Sequence, residues 1–153
     1  MSSGLVTRIE LEEIVRNLNN KILAAKVHTY LSDDLGGVDF TTAVDSNWED
    51  TGIEFSYTPS INCYFVSTSR VTIKASNGGN IYVRIFGGEN IVFRRDEDVN
   101  ANDLRTRNLL GAIRLNANTA YTIKIQAYFT VAGTLTIKGE TDRTKLEGFI
   151  ISR

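Results

Sequence analysis

The chain has 153 residues, enough for one domain with a small appendage, and a chain of this size can bury roughly 68–70% of its unfolded surface. Its 17 basic and 18 acidic side chains nearly cancel, so the basic stripe of a nucleic-acid-binding protein is missing. Cys63 stands alone and excludes an internal disulfide, and no apolar run approaches the ~18 residues of a membrane helix.

The opening, MSSGLVTRIELEE, lacks the charged and continuous apolar regions of a secretory signal, which predicts folding in a cytoplasm. Thr7 and Glu10 form a capping-box pair and Gly36-Gly37 lies beyond the far end, so a helix is expected over residues 7–31. Within it Leu11, Val15, Leu18, Ile22 and Ala25 recur at heptad spacing, with Ile14 widening the stripe. Either the helix is a short parallel coiled coil feeding a trimeric head, or it packs on its own domain. Two heptads are marginal in water, so any bundle must be held together by the head. His28 falls late in this helix, where a cation is mildly favourable. With no second histidine or cysteine suited to partner it, a zinc site is not expected.

Residues 36–50 read as a polar linker or an edge segment (VDFTTAV). From residue 51 the period changes to two. Ile53, Phe55 and Tyr57 share one side, as do Cys63, Phe65, Val71, Ile73 and Ala75. Ile81, Val83 and Ile85 follow, then Ile113 and Leu115, then Tyr121, Ile123, Ile125, Ala127 and Phe129, then Leu135 and Ile137. Cys63 is thereby expected to be a small buried hydrophobe. Turn chemistry at Asn77-Gly78-Gly79, Gly87-Gly88, Asn116-Ala117-Asn118 and Ala132-Gly133 punctuates the runs. About eight strands at this spacing predict a sandwich or jelly roll over residues 51–153, after a helical segment (1–35) and a linker (36–50).

The closing strand, KLEGFIIS, departs from simple alternation: Leu146 and Ile150 point one way, Phe149 and Ile151 the other. A strand apolar on both sides needs two dry neighbours, its own core and a second surface. Tyr82, Phe86 and Tyr128 also lie on nominally polar faces. Phe149 and Ile151, Tyr82, Phe86 and Tyr128, and Leu11, Val15, Leu18 and Ile22 are together the expected contact surface of a homotrimer.

Residues 62–76 (NCYFVSTSRVTIKAS), 80–93 (NIYVRIFGGENIVF), 109–129 (LLGAIRLNANTAYTIKIQAYF) and 146–152 (LEGFIIS) carry a resemblance to the jelly-roll heads of the tumour necrosis factor and complement-head superfamily. That resemblance implies a homotrimer whose terminal Gly-Phe strand lies beside the threefold axis. The first strands are hard to locate, and neither a signal peptide nor a collagen stalk accompanies the pattern. A heptad segment with a Thr/Asn-rich head looks more like a tailed-bacteriophage virion protein, a capsid decoration protein or a fibre head, made in the host cytoplasm and working on the virion. Its expected partners are copies of itself, capsid or tail proteins, and a cell-surface glycan or protein. A soluble carbohydrate-binding module is the alternative.

Catalytic chemistry is not expected. Asp96, Asp98, Asn100 and Asn102 alternate like the start of a calcium loop, but Ala101 stands where glycine is required and Arg107 where glutamate is. The segment around Arg94-Arg95 and Asp96-Glu97-Asp98 therefore reads as a solvated, zwitterionic loop. The paired glycines precede no helix and are turns, not phosphate cradles. No catalytic residue, metal or cofactor is assigned.

Overall fold

The computed structural model describes residues 12–13, 27–140 and 143–153. Among the described residues there are eight strands: β1 (Val27–Asp34), β2 (Phe40–Tyr57), β3 (Cys63–Ala75), β4 (Gly79–Phe86), β5 (Asn90–Val99), β6 (Leu104–Leu115), β7 (Tyr121–Ile137) and β8 (Lys145–Ser152). Every pairing is antiparallel. The strands form one continuous hydrogen-bonded sheet, β1-β8-β3-β7-β4-β5 with β6 on β3 and β2 on β7, which folds at β7 into two layers, hereafter the β1-β8-β3-β6 and β2-β7-β4-β5 sheets. Apart from the β4–β5 hairpin, each strand lies in the opposite sheet from the one before it. That is the winding of a jelly roll.

The strand parity read from the sequence fills the space between the sheets. Ile53, Cys63, Phe65, Val71, Ile73, Ile81, Val83, Ile85, Leu115, Ile123, Ile125, Phe129, Leu135, Ile137 and Leu146 are all fully buried. Phe55 on β2 meets Phe65 on β3 edge to face, with ring centres 5.5 Å apart, tying one sheet to the other. Cys63 is buried as expected, and burial pushes its thiol pKa up. A thiol reagent at pH 8 is therefore expected to leave the native protein unlabelled and to label it promptly once denatured.

Two boundaries differ from the sequence reading. Glu12 and Glu13 are helical, but residues 27–31 belong to β1, so the expected helix does not reach residue 31. The reason is tertiary: β1 completes the edge of β8 from Val27↔Ile151 to Asp34↔Lys145, while Leu31 packs against the core. The jelly roll therefore starts at Val27, not at residue 51. Most of the presumed linker is also strand, since β2 begins at Phe40. Its alternation is broken by register shifts at Ala43/Asp45, Asp45/Glu49 and Asp50/Glu54, which hid it. At the last of these, buried Thr51 donates its hydroxyl to the Ile125 carbonyl at 2.9 Å, replacing a lost ladder bond.

Ala132-Gly133 is likewise no turn, because β7 runs through it. Residues 123–129 pair with β4 and β2, and residues 134–137 cross to β3 and the start of β2. Gly133, at φ +147°, marks the corner. Arg94–Asp98, expected to be a zwitterionic loop, lies wholly within β5, and the chain turns only at Asn100–Asp103.

Candidate assembly face

β8 lies between β1 and β3, so its two apolar sides meet different surroundings. Leu146 and Ile150 enter the core, whereas Phe149 and Ile151 stand on the outer face of the sheet. Register aligns Tyr30, Phe149, Val66 and Ala112 across the four strands, and Ile151, Tyr64 and Arg114 beside them. Tyr30 (47%), Tyr64 (39%), Leu110 (65%) and Phe149 (36%) all remain exposed. Tyr30 and Phe149 pack against each other with ring centres 5.3 Å apart. The outcome is a cluster of exposed apolar side chains on the outer face of this sheet, the kind of surface that marks an interaction site.

Gly148 allows β8 to sit this close to β3. A Cβ there would lie 2.4 Å from the Val66 carbonyl oxygen and 2.5 Å from the Phe65 ring. Toward Lys145 the strands are stitched differently: Ser69 Oγ accepts from Glu147 N–H at 2.9 Å and donates to the Glu147 carbonyl at 3.0 Å.

A polar rim borders the patch. The Tyr30 hydroxyl donates to the Glu147 carboxylate, which also pairs with Lys145 at 3.1 Å. Burial pushes the Glu147 pKa up, but the bonds from Tyr30 and Lys145 outweigh it and hold the carboxyl below its ordinary range. A depressed carboxylate contributes stability above its unfolded pKa of about 4.3, lost as pH falls through the folded value. The melting-temperature advantage of the native protein over Glu147→Gln is accordingly expected at pH 6 and should shrink below about pH 4. Beside this rim the buried Nε of Arg70 has no hydrogen-bond partner among the described residues.

Tyr82, Phe86 and Tyr128 lie on the outer face of the other sheet. Tyr82 stacks on Tyr128 (4.3 Å, planes 7° apart), and Trp48 meets Tyr128 edge to face at 4.6 Å. The Arg84 guanidinium sits 4.2 Å from the Trp48 ring centre and 4.6 Å from that of Phe86. Arg84 Nε donates to Gln126 at 2.7 Å, and Gln126 and Lys124 both donate to Asp50. Trp48 and Arg84 went unnoticed in the sequence because one fell in the presumed linker and the other counted as surface charge. Cross-strand contacts within the chain thus account for these aromatics. Tyr128→Ala removes two ring pairs and is expected to cost about 1–3 kcal/mol by thermal melting, with native mass unchanged.

Of the nine residues expected at one contact, the five that are described fall on two faces. Phe149 and Ile151 share one face; Tyr82, Phe86 and Tyr128 share the opposite one. Leu11, Val15, Leu18 and Ile22 lie outside the described residues. Tyr30, Tyr64 and Leu110 join the first face and were missed, although Tyr64 carried the same signal as Tyr82, an aromatic on a nominally polar side. Among the described residues no cluster of His, Cys, Asp and Glu is placed to hold a metal, and no helix is long and apolar enough to cross a membrane.

Fold and face together define an all-β jelly-roll sandwich with an apolar outer patch on the sheet that contains its closing strand. No protein-family model matches the chain, and no curated protein matches it. Among solved structures it is similar, at 9% identity, to a CocE/NonD family hydrolase from Staphylococcus aureus in two crystal structures. Their TM-scores are 0.44 and 0.45, over 80% and 81% of this chain and 36% of the other. It is also similar, at 9% identity and TM-score 0.47, to a chain in the structure of the Gx strain of infectious bursal disease virus, over 84% of this chain and 38% of that one. The chain thus spans well under half the length of the chains it matches.

Proposed function

We propose that the protein is a non-enzymatic virion structural module of a phage-like particle, a homotrimer that serves as a capsid decoration or attachment head. The observation that carries this reading is the apolar outer face of the β1-β8-β3-β6 sheet, centred on Phe149. Covering Tyr30, Tyr64, Leu110 and Phe149 removes four large side chains from water, each worth about 1.5–3 kcal/mol when fully buried. That barely offsets the ~4–15 kcal/mol cost of one association. A closed threefold ring gains three contacts for two associations, which favours closure over an open pair.

The order of the chain supports the same arrangement. Val27 pairs with Ile151, so β1 starts beside the end of the closing strand. Three copies meeting on this face would bring the starts of their β1 strands to one side, the side assigned to contact with capsid or tail proteins. Three copies on a repeating surface then gain by avidity. The protein would be made in the host cytoplasm and work on the virion. Light scattering at micromolar concentration is expected to give three times the 17.0 kDa chain mass; a monomeric mass would overturn the reading.

A further inference from the structure

A second site lies on a different part of the surface. Where β7 crosses to β3, a cleft of about 200 Å³ is lined by Asp39, Lys74, Ser76, Asn102, Thr134, Thr136 and Lys138. Lys74 is some eight residues along β3 from Val66, roughly 27 Å at 3.4 Å per residue, so the cleft is separate from the apolar patch.

The free valences of this cleft decide what it can hold. Asp39, its only acid, is fully committed: one carboxylate oxygen accepts the Gly139 N–H at 2.9 Å and the other accepts from Lys138. Among the described residues the half-buried Lys74 ammonium makes no ion pair or hydrogen bond, and neither do the side chains of Asn102, Thr134 and Thr136. Ser76 Oγ accepts the Thr134 N–H at 2.8 Å, which leaves its own proton to be donated. The unused groups are thus one full cation and several neutral donors, with the second lysine already balanced.

The walls are built to stay close. A Cβ on Gly133 would stand 2.5 Å from Ser76 Oγ, and one on Gly139 would stand 1.9 Å from the Val38 carbonyl oxygen. Asn102 is held in the left-handed region at φ 62°, with its N–H bonded to the Ala75 carbonyl at 2.7 Å.

We propose that this cleft binds an oxyanion, a phosphate or carboxylate group, with Lys74 as its counter-charge and Ser76, Asn102, Thr134 and Thr136 as hydrogen-bond partners. Its volume falls below the roughly 300–1,000 Å³ of a site for a whole small ligand. It therefore fits a charged head group carried on a larger hydrophilic molecule, such as a phosphorylated or uronic-acid-containing glycan.

The test is titration of the full-length, isotope-labelled protein with inorganic phosphate, with glucuronate and with neutral methyl glucoside, read by NMR. Saturable shifts at Ser76, Asn102 and Thr134 are expected with at least one of the two anions, and the one that binds identifies the source of the charge. Lys74→Met is expected to weaken that binding at least tenfold while melting as the native protein does. No saturable shift with either anion, equal binding of the neutral sugar, or undiminished binding by Lys74→Met would overturn the proposal. None of these outcomes depends on the oligomeric state.

Discussion

Gly148→Ala is expected to be among the most damaging single substitutions of the closing strand. The added methyl has nowhere to go, because one neighbour is the Val66 backbone carbonyl at 2.4 Å and the other the fully buried Phe65 ring. Overpacking of a close-packed core costs about 1–3 kcal/mol, and a backbone atom in the clash puts this site at the upper end. For a chain of this size that is a fall of roughly 6–12 °C in melting temperature. The double variant Gly148→Ala/Phe65→Leu opens space beside the methyl, so its loss should be smaller than the sum of the two single losses. Additive losses would mean that the ring and the glycine are not in contact.

Phe149→Asp is expected to act in the opposite way, sparing the protomer and abolishing assembly. Phe149 is 36% exposed and packs on Tyr30 at the surface, so the isolated protomer loses little beyond that ring contact. In the assembled face the carboxylate would be desolvated three times over without a partner, at several kcal/mol each. The variant should therefore melt within a few degrees of the native protomer and yet sediment as a monomer. Tyr82→Ala, on the opposite sheet, should leave the mass unaltered.

How much of this was legible in the sequence follows from what each strand touches. Strands with one face on the core and one in water wrote their period plainly, and the inward sets from Ile53 to Ile137 follow that parity. β1 was hidden because its hydrogen bonds go to β8, more than a hundred residues away, and because the helical pattern before it ran on to its start. The first half of β2 was hidden by its register shifts and its polar composition. Gly133 carried a real signal, a special backbone conformation, but a strand crossing between sheets and a hairpin turn use the same residue.

The candidate face was legible only in its last strand. Phe149 and Ile151 could be placed outward because they break the alternation of β8 itself. Their companions Tyr30, Val66 and Leu110 come from three other strands, and only the β1-β8-β3-β6 order makes them neighbours. The aromatics of the other sheet illustrate the reverse. They too broke alternation, yet their partners, Trp48 and Arg84, lie within the same chain. An outward aromatic thus reports that something covers it, and strand order decides whether that cover is internal.

Hydroxyl-radical footprinting of the native protein at micromolar concentration tests the central claim most directly. Tyr30 and Leu110 on the patch are as exposed in the protomer, at 47% and 65%, as Ile61 and Val38 elsewhere, at 47% and 70%. If three copies meet on this face, Tyr30 and Leu110 are protected while Ile61 and Val38 react freely, and Phe149→Asp restores reactivity at the first pair. Rates at Tyr30 and Leu110 that are the same in the native protein as in Phe149→Asp, with Ile61 and Val38 as internal references, would contradict the account.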